Sequence, residues 1–223
     1  MDQKKKLVIV YKKAMENKPE FDAFLNHVAN QTGARPISNL KNPKTAIEKV
    51  KTKNEESPNR NYTLEKVNDI ARARLVYGSL KQLKNGIKAF KKDIGKTDMK
   101  ITKTDDFFEH PEDGYEGYHV DVSFPNGQHS EIQFHTIHSY AATLATHPLH
   151  EQADHEEMTK ADKMKNEDIN DEVKRLNPHD AVAVAQMLEQ RNAPMTQQAQ
   201  QAAQQTAQGN PPPMQAPQMG GSS

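Results

Sequence analysis

The sequence predicts a mixed α/β (α+β) domain, in which helices flank a β-sheet, followed by a disordered C-terminal tail. Three observations support this. Residues 113–136 have the pattern of a loop that leads into a β-hairpin, helix-type and strand-type segments precede it, and a Gln/Ala tract with three consecutive prolines follows near the end. The hydrophobic content of 34% is low for a wholly globular chain of 223 residues, so we expect part of it to be unpacked.

The predicted hairpin has a register that the sequence itself specifies. Apolar residues alternate with polar ones along both strands, at Val120, Val122 and Phe124 and again at Ile132 and Phe134. For Val120 to pair with Ile132 in the core, the connecting loop must hold an odd number of residues. A three-residue loop over 125–127, with Gly127 in the left-handed conformation, meets this requirement.

The opposite face of the hairpin is polar. In the predicted register Asp121 lies opposite Glu131, and His119 lies opposite Gln133. Two carboxylates placed side by side repel each other unless a proton, a base or a metal ion lies between them. This face is therefore a candidate site.

The remaining elements follow from periodicity and capping residues. In chain order they are a helix from about Pro19 to Gly33, a helix beginning at Asn42 and Pro43, a strand over Asp69–Tyr77, a helix capped by Ser79, a short strand over Met99–Thr104 and, after the hairpin, a helix from Thr136 that Pro148 interrupts. Arg72 and Arg74 lie on a strand between apolar residues, so we expect them to need anionic partners.

The net charge is zero, but the two halves of the chain differ. Residues 1–103 hold 24 Lys and Arg against 11 Asp and Glu, and the remainder holds 6 against 19. This polarity suits a site in which cations hold phosphates and carboxylates hold a metal, although two solvated halves of opposite charge would give the same composition. The absence of cysteine and of a long apolar run predicts a cytoplasmic protein without a membrane span.

Four short segments carry residue types that bind phosphate, metal and bases. They are Lys41–Lys49, Asp69–Arg74, Gly114–His119 and Glu131–Thr136. In this order they resemble the RelA/SpoT nucleotidyltransferase-like domain, the synthetase module that makes the alarmone (p)ppGpp, over residues 35–151. The resemblance implies a nucleotidyltransferase-like mixed sheet and a pyrophosphokinase. Such an enzyme transfers pyrophosphate from ATP to a ribose 3′-hydroxyl, with GDP or GTP as the expected acceptor.

The resemblance also implies roles for individual residues. Asp69 and Glu131 are the expected catalytic and Mg²⁺-binding residues, and Glu131 is also the expected proton acceptor. The donor phosphates are expected at Lys41, Lys49, Arg72 and Arg74. The acceptor is expected at Tyr115, whose ring would stack on its base, and at His119, Gln133 and His135.

The chain departs from the pattern of the alarmone synthetases at several basic positions. Arg72 stands where the family has glycine, and three residues stand where it has arginine: Asn39, Glu116 and His135. The pattern looks closer to divergent toxin-like and phage-associated members. Two alternatives follow, namely a toxin that pyrophosphorylates the tRNA 3′ end, and an inactive nucleotide-binding or phage accessory module. Retention of Asp69 and Glu131 favours an enzyme.

Each candidate residue also has an ordinary structural interpretation. The same residues would also be expected if Asp69 and Glu131 were exposed carboxylates at strand ends, the lysines were surface charges and Tyr115 packed at a sheet edge. A zinc site is a further rival, because eight of the ten histidines lie between His110 and His155, but no three-ligand pattern of a known type is present.

The composition divides the chain into four predicted regions. They are an N-terminal helical segment (1–34), the RelA/SpoT-like nucleotidyltransferase domain (35–151), a charged helical extension (152–192) and a disordered Gln/Ala/Pro-rich tail (193–223).

Overall fold

The computed structural model describes residues 2–213, apart from residues 58, 60, 113 and 154–158. The helices are α1 (Gln3–Thr32), α2 (Pro43–Glu56), α3 (Leu80–Ile94), α4 (Ile137–Ala153), α5 (Lys160–Lys174) and α6 (Pro178–Ala207). The strands are β1 (Arg35–Leu40), β2 (Ala71–Tyr77), β3 (Lys100–Asp106), β4 (Tyr118–Ser123) and β5 (His129–Thr136).

The five strands form one mixed sheet in the order β1-β2-β5-β4-β3. The β2–β5 pair is parallel and the other three pairs are antiparallel. The predicted α/β class with a mixed sheet flanked by helices is confirmed. Strand β1 was not predicted, because Pro36 and its polar neighbours do not read as a strand. Its position at the sheet edge explains why a proline is accepted there.

The hairpin has the predicted register. Val120 pairs with Ile132, and Asp121 pairs with Glu131. Residues 125–127 form the loop, and Gly127 has a φ of 78°, in the left-handed region that favours glycine.

The two sheet faces have different coverings. On one face, Ala73, Leu75, Ile132 and Phe134 are buried against α1 and α3. The other face carries the arginines of β2 and the polar side chains of β4 and β5. It is partly covered by a second apolar cluster, in which Val76 packs with residues of α4, α5 and α6. The polar face therefore remains the position of the candidate site.

Two predicted helix starts are confirmed. The Asn42 side chain accepts a hydrogen bond from the backbone N–H of Lys44, and Pro43 occupies the first helical turn. The Ser79 side chain accepts one from the N–H of Gln82 at the start of α3.

Two other predictions based on prolines, at Pro19 and Pro148, were wrong. Helix α1 begins at Gln3 and runs through Pro19, where the sequence predicted a start, and α4 runs through position 148, where it predicted an interruption. A proline inside a helix removes one hydrogen bond, at a cost of about 3 kcal/mol. Burial on both sides of Pro19, including Tyr11 and Phe21, offsets this cost.

The predicted tail also required correction. Residues 193–207, expected to be disordered, continue α6 through Pro194 to Ala207. Alanine and glutamine favour helix, and the fully buried Ala203 packs in a cluster with Leu7 and Tyr11 of α1. The boundary predicted between 192 and 193 therefore falls inside a continuous helix. Residues 214–223 of the predicted tail lie outside the described residues.

Among the described residues, none of the helices combines the length and the apolar composition needed to cross a membrane.

Candidate active site

The candidate site lies on the polar face of the sheet. The parallel pairing of β2 with β5 sets Arg72 beside Glu131 and Arg74 beside Gln133. The antiparallel pairing of β4 with β5 then adds His119 opposite Gln133. Because side chains alternate along each strand, all five project from the same face.

Asp69 lies at one end of this face, two residues before the start of β2, so the predicted strand over Asp69–Tyr77 begins later than expected. Asp69 is 7% exposed, and each of its carboxylate oxygens binds a lysine. Lys41 Nζ lies 3.0 Å from Oδ2, and Lys49 Nζ lies 2.9 Å from Oδ1. Burial alone would raise the pKa of Asp69, but the two ammonium groups outweigh it and hold the pKa well below its usual range. Asp69 is therefore ionised at neutral pH.

Glu131 is the second carboxylate of the site. Gln133 Nε2 donates to its Oε1 at 2.6 Å, and His119 Nδ1 lies 3.7 Å from its Oε2. Burial acts to raise the pKa of Glu131, but His119 lowers it and the net shift is downward. The charge of Asp69 acts on the same pKa in the upward direction, which indicates that the two carboxylates are close enough to interact.

Asp121 lies directly opposite Glu131, and a hydrogen bond compensates part of the repulsion between the two carboxylates. Asn68 Nδ2 donates to Asp121 Oδ1 at 2.8 Å. Burial and the nearby charge of Glu131 nevertheless raise the pKa of Asp121, against the effect of Asn68. The side-by-side carboxylates expected from the hairpin register are thus present, and they differ in the direction of their pKa shifts.

Arg72 and Arg74 interact with amides rather than acids. Arg72 Nε donates to Asn39 Oδ1 at 2.9 Å, and Arg74 Nε donates to Gln133 Oε1 at 3.0 Å. In the described part of the chain, neither guanidinium forms an ion pair. Burial and the neighbouring charge of Arg72 lower the pKa of Arg74. Both arginines border a narrow gap, too small to hold a water molecule, together with Ile37, Asn39, Ala73 and Gln133.

Tyr115 lies at the other end of the face, within a cluster of aromatic rings. Its ring makes edge-to-face contacts with Phe107, His119 and His135. Its hydroxyl lies 2.5 Å from His119 Nε2, and the donor in this bond depends on the histidine tautomer. Gly117 leaves room for the hydroxyl, because a Cβ at that position would come within 2.8 Å of it.

His135 is completely buried beneath this cluster. Its Nδ1 lies 3.2 Å from Ser139 Oγ, and its Nε2 lies 3.5 Å from the Tyr115 hydroxyl. Burial, followed by the charge of Arg74, lowers the pKa of His135 well below its usual value, so the ring is neutral. Direct contact between an acceptor and His135 would require Tyr115 to move.

The donor set of the site fits Mg²⁺ better than zinc. Across the residues with described positions, no group of three His, Asp or Glu side chains is arranged to hold a metal. His138, one of the histidines that raised the possibility of a zinc site, hydrogen-bonds the carbonyl of Leu176. Mg²⁺ needs only one or two protein carboxylates when phosphate oxygens complete its coordination, and Asp69 and Glu131 are both ionised.

Several residues that hold the site together were not predicted. Asn68, Ser139, Tyr140 and Glu189 were not singled out, and Asn39 was noted only as a departure from the family. The residue types alone could not reveal these roles. Glu189, for example, contacts a residue 154 positions away in the chain, and no local pattern records such a contact.

The fold of this chain is similar to that of the small alarmone synthetases. Small alarmone synthetase 1 from Bacillus subtilis superposes with a TM-score of 0.57 at 16% identity, over 86% of this chain and 97% of that one. A GTP pyrophosphokinase family protein from Streptococcus pneumoniae superposes with a TM-score of 0.57 at 18% identity, over 88% and 96%.

The Bacillus enzyme is also known in complexes. Its structure bound to its product pppGpp superposes with a TM-score of 0.56 at 15% identity, over 86% of this chain and 97% of that one. Its structure bound to AMPCPP gives 0.51 at 14%, over the same shares of the two chains. No protein-family model and no curated protein sequence matches the chain. At identities this low, the superpositions show that the fold is shared.

Proposed function

We propose that the protein is a pyrophosphokinase that transfers pyrophosphate from ATP to the ribose 3′-hydroxyl of a guanine nucleotide or a related acceptor. The observation that carries the proposal is the composition of the polar face. Two ionised carboxylates, Asp69 and Glu131, lie among four cations, and two of those cations have no acidic partner in the described structure. Such a face suits a polyanionic substrate.

The donor phosphates would bind at the basic residues. The guanidinium groups of Arg72 and Arg74 can each offer a planar fork to phosphate oxygens, whereas Lys41 and Lys49 act as point charges. The pairing of both lysines with Asp69 keeps their ammonium groups in fixed positions before substrate arrives. Most of the catalysis in phosphoryl transfer comes from such positioning and charge neutralisation.

Asp69 and Glu131 would hold Mg²⁺ together with the donor phosphates. When bound, the ion would supply neutralisation of the charge that develops on the phosphate oxygens. Binding, orientation and proton transfer would be performed by side chains of this protein.

Glu131 is the proposed general base. The acceptor 3′-oxygen forms a bond to the β-phosphorus of ATP, the bond from that phosphorus to the oxygen bridging it to the α-phosphate breaks, and AMP leaves. The hydroxyl proton passes to Glu131, which is ionised because His119 lowers its pKa. Gln133 orients the same carboxylate, since it donates to Glu131 while accepting from Arg74.

The acceptor would lie at the Tyr115 end of the face. The position of Tyr115 beside His119 supports a role in binding the base, and His119 would then link the acceptor region to Glu131. His135 would act from beneath by supporting the Tyr115 ring.

A transfer assay tests this proposal. Purified protein is incubated with γ-³²P-ATP, Mg²⁺ and, in separate tubes, GDP, GTP, AMP, ADP and bulk tRNA. Label should move to a guanine nucleotide in the wild type and fall at least a hundredfold in Glu131→Gln, which keeps the shape of the side chain but removes the base. Glu55→Gln, on the exposed surface of α2, is the matched control and should transfer label normally.

Each other result has a distinct meaning. Label on tRNA alone would show that the acceptor is RNA and not a guanine nucleotide. Label on AMP or ADP alone would show that the acceptor is an adenine nucleotide. Transfer to no acceptor, by a folded protein that binds ATP, would reject the enzymatic proposal.

A further inference from the structure

A network of contacts outside the residues assigned above reaches the site from α6. Arg35, on the edge strand β1, donates to both carboxylate oxygens of Glu189 of α6, at 3.1 and 2.7 Å. The hydroxyl of Tyr140, on α4, donates to the same carboxylate at 2.7 Å. Three elements that are far apart in the sequence therefore converge on Glu189.

Tyr140 connects this network to the site. Its ring centroid lies 5.5 Å from the guanidinium carbon of Arg35 and 5.9 Å from that of Arg74. Both distances are within the range of about 6 Å for attraction between a cation and an aromatic ring, which is stronger where water is excluded. Tyr140 is 2% exposed. The Tyr140 ring therefore packs beside the Arg74 guanidinium on one side.

Arg35 and Arg74 differ in whether an acidic side chain compensates their charge. Glu189 neutralises Arg35 through two hydrogen bonds, a geometry that favours a strong pair. Arg74 has no such acid within ion-pair distance in the described structure, and only its Nε donates, to Gln133. The network thus removes the competing charge of Arg35 and leaves that of Arg74 available.

We infer that Tyr140 is a positioning residue that holds the Arg74 guanidinium toward the donor phosphates, and that Glu189 fixes Tyr140 in place. This inference rests on the proposed function, in which Arg74 binds those phosphates. Two contacts then define the orientation of Arg74, namely the amide oxygen of Gln133 and the ring of Tyr140. Helix α6 belongs to the binding site through Glu189, although it provides no residue that touches substrate.

A double-mutant cycle on the full chain tests the inference. Binding of inorganic tripolyphosphate is measured by calorimetry for the wild type, Arg74→Gln, Tyr140→Leu and the double variant. Tyr140→Leu should weaken binding about tenfold, since it removes the ring that orients the guanidinium. In the Arg74→Gln background the same change should have less than a twofold effect, because the group it positions is gone.

Conservative variants separate positioning from folding. Tyr140→Phe keeps the ring and should restore binding to within about threefold of the wild type. Glu189→Gln should weaken binding by a similar small factor, and only when Arg74 is present, which gives a second test if Tyr140→Leu does not fold. Leu188→Ala, in the same buried cluster, is the matched control. It should lower the melting temperature and leave affinity unchanged.

Failure of the inference differs from failure of the proposed function. If Arg74→Gln weakens binding and the Tyr140→Leu effect is equal in both backgrounds, the inference is overturned while the phosphate site stands. If Arg74→Gln binds tripolyphosphate as the wild type does, or the wild type does not bind it, the inference and the assignment of Arg74 to the donor phosphates are overturned together. The transfer assay still decides the proposed function, because it measures labelled product and does not depend on this binding.

Discussion

Lys41 Nζ lies 3.0 Å from Asp69 Oδ2, and less than one-tenth of the Lys41 side chain is exposed. Burying a charge is unfavourable unless a partner compensates it, so removal of the partner should be more damaging than loss of an exposed pair. Asp69→Asn should therefore lower the free energy of unfolding by about 3 kcal/mol in urea titrations.

The pair Lys51–Glu55 provides the control for this prediction. Its atoms are 3.8 Å apart and both side chains are mostly exposed. Glu55→Gln should change stability by less than about 0.5 kcal/mol. If Asp69→Asn lowered the free energy of unfolding by less than about 1 kcal/mol, the prediction would be wrong, because Lys41 and Lys49 would not need the Asp69 carboxylate to stay buried.

His135 should make stability depend on pH. The folded-state pKa of His135 is well below that of the unfolded chain, about 6.5. The unfolded chain therefore binds more protons below pH 6.5, and the stability present above that pH is lost as the pH falls. Between pH 7.5 and 5.5 the wild type should lose about 1.4 kcal/mol more than His135→Gln, measured by urea unfolding at both pH values.

His179 is the control for the pH experiment, since 93% of its side chain is exposed. His179→Gln should retain the slope of the wild type. An equal slope in the wild type and in His135→Gln would contradict this prediction, because it would mean that the buried ring takes up a proton as readily as it does in the unfolded chain.

Gly86 of α3 packs directly against the ring of Tyr77. A Cβ at position 86 would overlap the hydroxyl and ring atoms of Tyr77, whose side chain is fully buried in the core. Gly86→Ala should thus destabilise the protein by about 1–3 kcal/mol, although alanine favours helix by about 1 kcal/mol. Thermal or urea unfolding of this variant checks the prediction.

Two comparisons isolate the overlap at Gly86. The cost of Gly86→Ala should be smaller in a Tyr77→Phe background, where the hydroxyl is absent. At Gly95 an added Cβ would make an ordinary contact of 3.6 Å, so Gly95→Ala should be close to neutral. Equal effects at positions 86 and 95 would contradict the packing account.

Sequence patterns predicted the elements whose signals are local. The hairpin register followed from the alternation around Val120 and Ile132 and from the length of one loop, and both are confirmed. The predicted helix start at Pro19 and the predicted interruption at Pro148 were wrong, because each proline lies inside a longer helix, and in α1 the packing outweighs the loss of a single hydrogen bond. Strand β1 could not be recognised, since its pairing partner lies beyond α2.

The candidate site was predictable to a similar extent. The sequence identified most of the charged and aromatic residues on the polar face, and the strand pairing brings Arg72, Arg74 and Glu131 together. It identified Gln133, but it could not identify Asn39 and Tyr140 as the residues that contact the two arginines. Contacts such as Tyr140 with Glu189 depend on the packing of α4 against α6, which residue type and spacing do not encode.

The nucleotide product formed from ATP distinguishes pyrophosphate transfer from other reactions of ATP. Pyrophosphate transfer converts ATP to AMP, whereas transfer of a single phosphate or simple hydrolysis of the terminal phosphate gives ADP. Products are quantified by anion-exchange chromatography, with and without acceptor, for the wild type and Glu131→Gln. If the protein transfers pyrophosphate, the wild type should form one AMP per modified acceptor and the variant almost none. Acceptor-dependent ADP, or AMP formation that the variant retains in full, would contradict it.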